Sequence, residues 1–215
     1  MTRAMDELQT NVRPFLKELR WRARARAFNR TTLDGLTQVI EFQLGRFGPP
    51  GTHYVGLRRN VYGKSTVNVG AYVPEVDKYT SPGVGVPSFV HGHDCCIRER
   101  LGKLGPEHED MWWTLGVPYD GAAEVCHRIE RDALPFLARF ETRDALLNQW
   151  TLDTPNPYTG GKPPRIVCAI ILAVRGRRDE ARSFLVAQAR EHRNHPHFAF
   201  VCALADKLGL GELEL

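Results

Sequence analysis

The first period along the chain is helical. Met5, Leu8, Val12, Phe15, Leu16 and Leu19 recur at three- and four-residue intervals with charged residues between them. That spacing predicts an amphipathic helix over residues 5–20, kinked or broken at Pro14. The period then drops to two. Trp21, Ala23, Ala25 and Ala27 alternate with Arg20, Arg22, Arg24 and Arg26, a strand pattern that sets four guanidinium groups in a row on one sheet face. Leu36, Ile40, Phe42 and Leu44, with Gln38 in the same phase, follow the turn signal Asp34-Gly35, so residues 21–27 and 36–44 predict a hairpin. Val67, Val69, Ala71 and Val73 share one face of a third strand over 66–73, stopped by Pro74. A fourth strand is expected at 94–101 and a short fifth at 112–115. Residues 45–63 and 74–92 are rich in Gly and Pro and read as two long loops, of the kind that carries function in a compact domain.

From Asp120 the pattern turns helical again. Asp120 is a cap for a helix reaching Phe140 with a bend at Pro135, and Thr142 caps a shorter one carrying Leu146, Leu147 and Trp150. After a Pro/Gly-rich stretch come three helices near 165–175, 178–192 and 196–208, the first two forming a hairpin through Gly176. The fold class is therefore α+β: an antiparallel sheet of about five strands with flanking helices, followed by a C-terminal helical hairpin or appendage. The division expected is an α+β domain at 1–153, a linker or crossing loop at 154–164 and C-terminal helices at 165–215, packed on the α+β part or on a second subunit.

Composition adds charge to this picture. The 215 residues are 42% hydrophobic and 25% charged, an ordinary globular profile that excludes a disordered or collagen-like chain. The formal charge of +4 is uneven: residues 1–30 carry +5 and the remainder is nearly neutral. Five cysteines at 95, 96, 126, 168 and 202 have no framework spacing. Reduced, mostly buried thiols follow, and with no long apolar stretch or leader pattern the expected location is cytoplasmic, away from any membrane.

Several strings taken in order resemble the bacterial family known as domain of unknown function 4304. They are Arg24-Ala-Arg-Ala-Phe-Asn-Arg30 after a leading helix, Val39-Ile-Glu-Phe-Gln43, Val67-Asn-Val-Gly-Ala-Tyr-Val-Pro74, Ile97-Arg-Glu-Arg-Leu-Gly102, and Asp110-Met-Trp-Trp113 ahead of a long helix. The resemblance covers roughly residues 5–150 and implies an α+β domain with no assigned chemistry. The chain departs from the family pattern in its longer loop at 45–63, in the histidines before Asp94 and in the helices after 164.

Two constellations carry candidate chemistry. Arg22, Arg24 and Arg26 on one strand and Arg98 and Arg100 on another would converge on a single face if those strands are neighbours, which favours an anionic ligand or an acidic protein partner. Salt bridges to Glu41 and Glu99 are the structural alternative. Trp112 and Trp113 must face opposite ways, one into the core and one onto the second face; Trp113 is counted with the arginines as a binding residue. Tyr54, Tyr62 and the two tryptophans could stack on bases, but no nucleic-acid motif is present and the body of the chain is neutral, so nucleic acid is not the expected partner. The second constellation is His91-Gly-His93-Asp94-Cys95-Cys96. His91, His93 and Cys95 would share a strand face as metal ligands, or a histidine and Cys95 or Cys96 would act as base and nucleophile. Another histidine group, His192, His195 and His197, lies at a helix boundary. No phosphate-binding loop, dinucleotide fingerprint, nucleophile elbow or paired Cys/His spacing occurs, and no cofactor is expected. The leading expectation is a binding or interaction module whose arginine-lined face and long loops hold an anionic or protein partner, with homo-oligomerisation left open. The alternative is a small-molecule enzyme or metal-binding protein centred on His91–Cys96.

Overall fold

The computed structural model describes residues 2–46, 60–81, 85–116, 121–152 and 162–214. Tyr54, most of the 45–63 stretch, the cap at Asp120 and most of the 154–164 stretch lie outside the described residues. The chain is α+β, with an antiparallel sheet flanked by helices and three helices at its C-terminal end.

Helix α1, Thr2–Glu18, buries Met5, Val12 and Leu16 and runs unbroken through Pro14. Pro14 and Thr10 are both solvent-exposed, so the Thr10 carbonyl that Pro14 cannot serve is left to water rather than to the core. The helix stops where the sequence period changes. Arg20 adopts a positive φ of 63°, the Arg20 N–H donates to Lys17 O and the Trp21 N–H to Leu16 O, a left-handed cap that turns the chain into the sheet.

The alternation over residues 21–27 does not form one strand. Strand β1 is only Arg22–Arg24; Ala25, with a φ of 47°, and Arg26 form a tight turn, and β2 resumes at Ala27–Thr31. The period-two pattern misleads here because it separates nothing: Arg22, Ala23, Arg24 and Ala25 are all exposed, so no buried face fixes their conformation. The hairpin around Asp34-Gly35 accordingly joins β2, not residues 21–27, to β3, Thr37–Leu44. Strand β4, Lys64–Tyr72, pairs along the whole of β3. Pro74 then ends the sheet but opens helix α2, Pro74–Thr80, so the expected 74–92 loop is shorter than its composition suggested. Proline at the first helical position and Glu75 and Asp77 in the first turn favour this start. Strand β5, Ile97–Arg100, begins three residues later than expected and runs directly into α3, Leu101–Leu104; β6 is Trp113–Thr114. Among the described residues the sheet order is β1-β2-β3-β4-β5, with β6 beside the start of β4.

One sheet face carries Phe28, Ile40, Phe42, Val67, Val69, Ala71 and Ile97 into the main core. Helix α4, Gly121–Arg128, continues through a π-helical turn at Ile129–Ala133 into α5, Leu134–Ala138, with Pro135 in the first turn after the π segment. Gln38 is fully buried beneath α5; its side-chain N–H donates to the Leu137 carbonyl (3.0 Å) while its oxygen accepts from Nε and Nη2 of Arg30 (3.0 and 2.7 Å). Thr142 caps α6, Arg143–Gln149, accepting from the Ala145 N–H at 3.0 Å. Arg143 ties three elements together, pairing with Glu75 of α2, with the Asp34 carboxylate and with the Asp34 carbonyl at the β2–β3 turn.

Helix α7, Pro164–Val174, is buried from Ile166 to Leu172, as a helix apolar on every side must be. It packs on α2, α6 and α8, Arg178–Glu191, which in turn meets α9, His197–Lys207. These helices share one hydrophobic cluster with the sheet and α1. No helix among the described residues is long and apolar enough to cross a membrane.

Two stability predictions follow from these buried polar contacts. Gln38→Leu strands both the Arg30 guanidinium and the Leu137 carbonyl, and denaturant unfolding should register a loss of about 2–4 kcal/mol. Asp34 has its pKa lowered, first by the hydrogen bond from the Arg143 backbone N–H. Its contribution is therefore complete above the unfolded-state carboxylate pKa and disappears as pH falls through the lower folded value. Urea midpoints of the wild type and Asp34→Ala should differ at about pH 6 and converge on acidification below about pH 4; a difference that grows towards acid would contradict this.

Candidate functional site

The second sheet face places the arginines in register. By Cα pairing, one row runs Arg24, Ala27, Glu41, Asn68, Arg100 and the next runs Arg22, Asn29, Val39, Gly70, Arg98. Both arginine pairs thus lie on one face, but β1 and β5 are the two ends of the path and not neighbours. Four strand spacings, about 19 Å, separate them.

The middle of that face is covered by residues 88–96. The Asn29 side chain, 7% exposed, donates to the Val90 carbonyl and accepts from the Val90 N–H, both at 2.8 Å, as a backbone strand would. Val90, Val39, Tyr72 and Cys95 form a small buried cluster beneath. Glu41 then fixes the next two residues: Oε1 accepts from His91 Nδ1 at 2.9 Å and Oε2 from the Gly92 N–H at 2.7 Å. A Cβ at Gly92 would sit 2.8 Å from Glu41 Oε2 and displace that carboxylate. Gly70 is confined more firmly, since a Cβ there would come within 2.9 Å of Cys95 Sγ and 2.8 Å of the Ile97 backbone carbonyl oxygen. The strap therefore divides the arginine rows, leaving Arg22 and Arg24 on one side, where Arg24 Nη1 reaches Ser88 Oγ at 3.5 Å.

On the other side lies a cleft of about 880 Å³. Five cations line it: Arg26 from the β1–β2 turn, Arg46 after β3, Arg98 and Arg100 from β5, and Lys103 from α3. Three carboxylates, Glu41, Glu99 and Asp110, also reach it, but their hydrogen bonds commit them elsewhere. Glu41 holds the strap, Glu99 Oε1 accepts the Arg100 N–H at 2.9 Å, and Asp110 takes Arg100 Nη1 on both oxygens at 2.7 and 2.8 Å. Among the described residues Arg26, Arg46 and Arg98 have no carboxylate partner. Arg100 instead lies 4.8 Å over the Trp112 ring, whose Nε1 donates to Asp110 Oδ2 at 3.1 Å. The cleft floor holds Asn68 and Gln43, joined by a 3.0 Å hydrogen bond.

Of the residues singled out from the sequence, Arg26, Arg98 and Arg100 meet in this cleft and Arg22 and Arg24 do not. Trp113 is the core member of its pair, 8% exposed with Nε1 donating to Glu124 Oε2 at 3.2 Å; the cleft tryptophan is Trp112. Glu41, Gln43, Asn68, Arg46, Lys103 and Asp110 were not identified as cleft residues. The available signal was the outward phase of β3 and β4, where polar Glu41, Gln43 and Asn68 interrupt otherwise apolar runs.

His91, His93 and Cys95 do not assemble a metal centre. His91 and His93 stack with ring centroids 5.7 Å apart, but Cys95 Sγ points inward to the His91 carbonyl at 3.6 Å, and no group of three metal-ligating side chains occurs among the described residues. Continuing the turn through residues 91–94 instead of an early strand is what separates them. Burial pushes the Cys95 thiol well up, and it pushes Cys96 and Cys168 up to about 12, so neither member of the adjacent pair is poised as a nucleophile. At the other histidine group, burial together with neighbouring His192 and His195 lowers the His197 pKa; the His192 ring packs against those of His195 and His197, and His197 stacks on Phe200.

A thiol reagent applied to the native protein at about pH 8 should modify only the partly exposed Cys126 and Cys202, with the remaining three reacting after unfolding. Rapid native-state labelling of Cys95 or Cys96 would mean that the strap opens readily.

Comparison with curated proteins and with solved structures finds no significant match. A family profile described as "Domain of unknown function (DUF4304)" matches residues 12–139, from within α1 to the end of α5. That span is more than half of the chain and takes in the whole sheet, the strap and the cleft cations, and by it the chain belongs to the DUF4304 family.

Proposed function

We propose that the protein is a cytoplasmic bacterial binding module that holds an anionic ligand, free or displayed on a protein partner, in the cleft beside β5. The observation that carries this reading is the approach of Arg26, Arg46 and Arg98 to one concavity without carboxylate partners among the described residues. Guanidinium groups lining one concavity repel one another unless an anion offsets them, and a guanidinium presents paired donors suited to an oxyanion. The acids in the same cleft already have hydrogen-bond partners: Glu41 holds the strap, Glu99 accepts the Arg100 backbone N–H, and Asp110 pairs with the Arg100 guanidinium. Both long loops contribute: Arg46 and Val61 come from the ends of the 45–63 segment and Gly92 from the close of the other, with His93 directly after it. Five free cysteines fit a reducing compartment.

Calorimetric titration with inorganic pyrophosphate tests the proposal. Binding should weaken as salt rises, and Arg98→Ala should weaken it about tenfold or more, in keeping with a lost charge-assisted hydrogen bond. Arg98→Ala should leave the thermal midpoint nearly unchanged, while Arg22→Ala and Arg24→Ala should bind like the wild type. Equal weakening by all three substitutions would point to diffuse charge and not to this cleft; unchanged binding in Arg98→Ala would remove the proposal.

A further inference from the structure

The cleft is not uniformly cationic, and the division of labour within it narrows the ligand. Arg100 is spent as a charge: Asp110 takes it on both oxygens and also holds the Trp112 indole through Nε1. What this three-residue unit offers the cleft is a flat surface, a guanidinium lying 4.8 Å over an indole and fixed from behind by one carboxylate. Arginine planes and tryptophan faces are both surfaces on which a heteroaromatic ring stacks. Next to Arg100 in the same cross-strand row stands Asn68, which donates to Gln43 Oε1. Among the described residues that leaves Asn68 Oδ1 as an acceptor and Gln43 Nε2 as a donor, side by side on the floor. Two residues back along β5, on the same face and about 7 Å away, is Arg98, which has no carboxylate partner among the described residues. Arg26 closes the far side.

Around the stacking surface at Arg100 stand a donor–acceptor edge across the sheet and a guanidinium about 7 Å along β5, the parts that would meet a nucleotide's base, polar edge and phosphate. The volume of about 880 Å³ suits one small molecule. We infer that the cleft is a nucleoside phosphate site, with the base on the Trp112–Arg100 pair, polar edges on Asn68 and Gln43, and the phosphates on Arg98 and Arg26. This rests on the anion-cleft reading and adds the requirement for a stacking group.

Titrating the full chain with ADP and with pyrophosphate, without divalent metal and at matched ionic strength, separates the two ideas. ADP should bind about tenfold or more tightly than pyrophosphate, the scale of one base stacked on an aromatic ring. Trp112→Leu should remove that advantage and leave pyrophosphate binding unchanged, whereas Trp112→Phe, which keeps an aromatic face, should retain most of it. If Trp112→Leu does not fold, the Phe variant and the wild-type ADP-to-pyrophosphate ratio still decide the matter. Equal affinity for ADP and pyrophosphate would overturn the nucleotide assignment and leave the anion cleft standing. No binding of either ligand would remove both. A single-stranded oligonucleotide binding a hundredfold more tightly than ADP would replace the mononucleotide with a polymer.

Discussion

The second face of the sheet depends on one amide. Asn29 makes a reciprocal pair of 2.8 Å hydrogen bonds with the Val90 backbone, giving an irregular segment the anchorage of a strand without its continuity. Buried backbone groups must be paired, and here a side chain supplies the pairing. From that anchor the chain lays Val90 and Cys95 on Val39 and Tyr72, and Glu41 fixes the next turn. Without this strap the face would be a continuous arginine-edged plane. With it, Arg22 and Arg24 are left on one side of the face, and the concave side gathers Arg26, Arg46, Arg98, Arg100 and Lys103.

Which arginines act as charges follows from partners, not from position. Arg30 is satisfied by Gln38 and lies 5.0 Å over Trp21; Arg143 is locked between Glu75 and Asp34; Arg100 is committed to Asp110. These three hold elements together through side-chain partners, at Arg30 against a desolvation that lowers its pKa and at Arg143 with hydrogen bonds to Glu75 that raise it. Arg26 and Arg98 have no carboxylate partner among the described residues; a tight turn places the first and strand register the second. A guanidinium positioned by its backbone and not consumed by an internal acid is the form in which charge remains available to a ligand.

The sequence made most of the core legible because burial enforces period. Val67, Val69 and Ala71 face the main cluster as their alternation requires, and Ile166 to Leu172 could only be an interior helix. The Thr142 cap was readable for a similar reason, since a hydroxyl before a helix has one local task. The strand expected over residues 21–27 fails where nothing is buried. Arg22 to Ala25 alternates without a core to face, so a two-residue turn passed unseen inside an apparent strand. The cleft was half legible. Parity along β1 and β5 puts their arginines on one face, but strand order and the strap are long-range facts set by β3–β4 pairing and by Asn29, and no local pattern encodes them. Trp112 and Trp113 show the same limit: alternation demands opposite faces without saying which ring is inside.

Gly70 joins the two halves of this molecule in a way that neither half reveals. Its bare α-carbon sits in the strand whose flanking Val69 and Ala71 belong to the main core, opposite Arg98, with the Cys95 thiol in the space where a methyl group would be. Any added carbon must lift either the strap or β5, and each of those is a wall of the cleft. The interior packing and the cleft's shape are therefore one inherited unit: during sequence drift, neither could be remodelled at this point while the other stayed fixed.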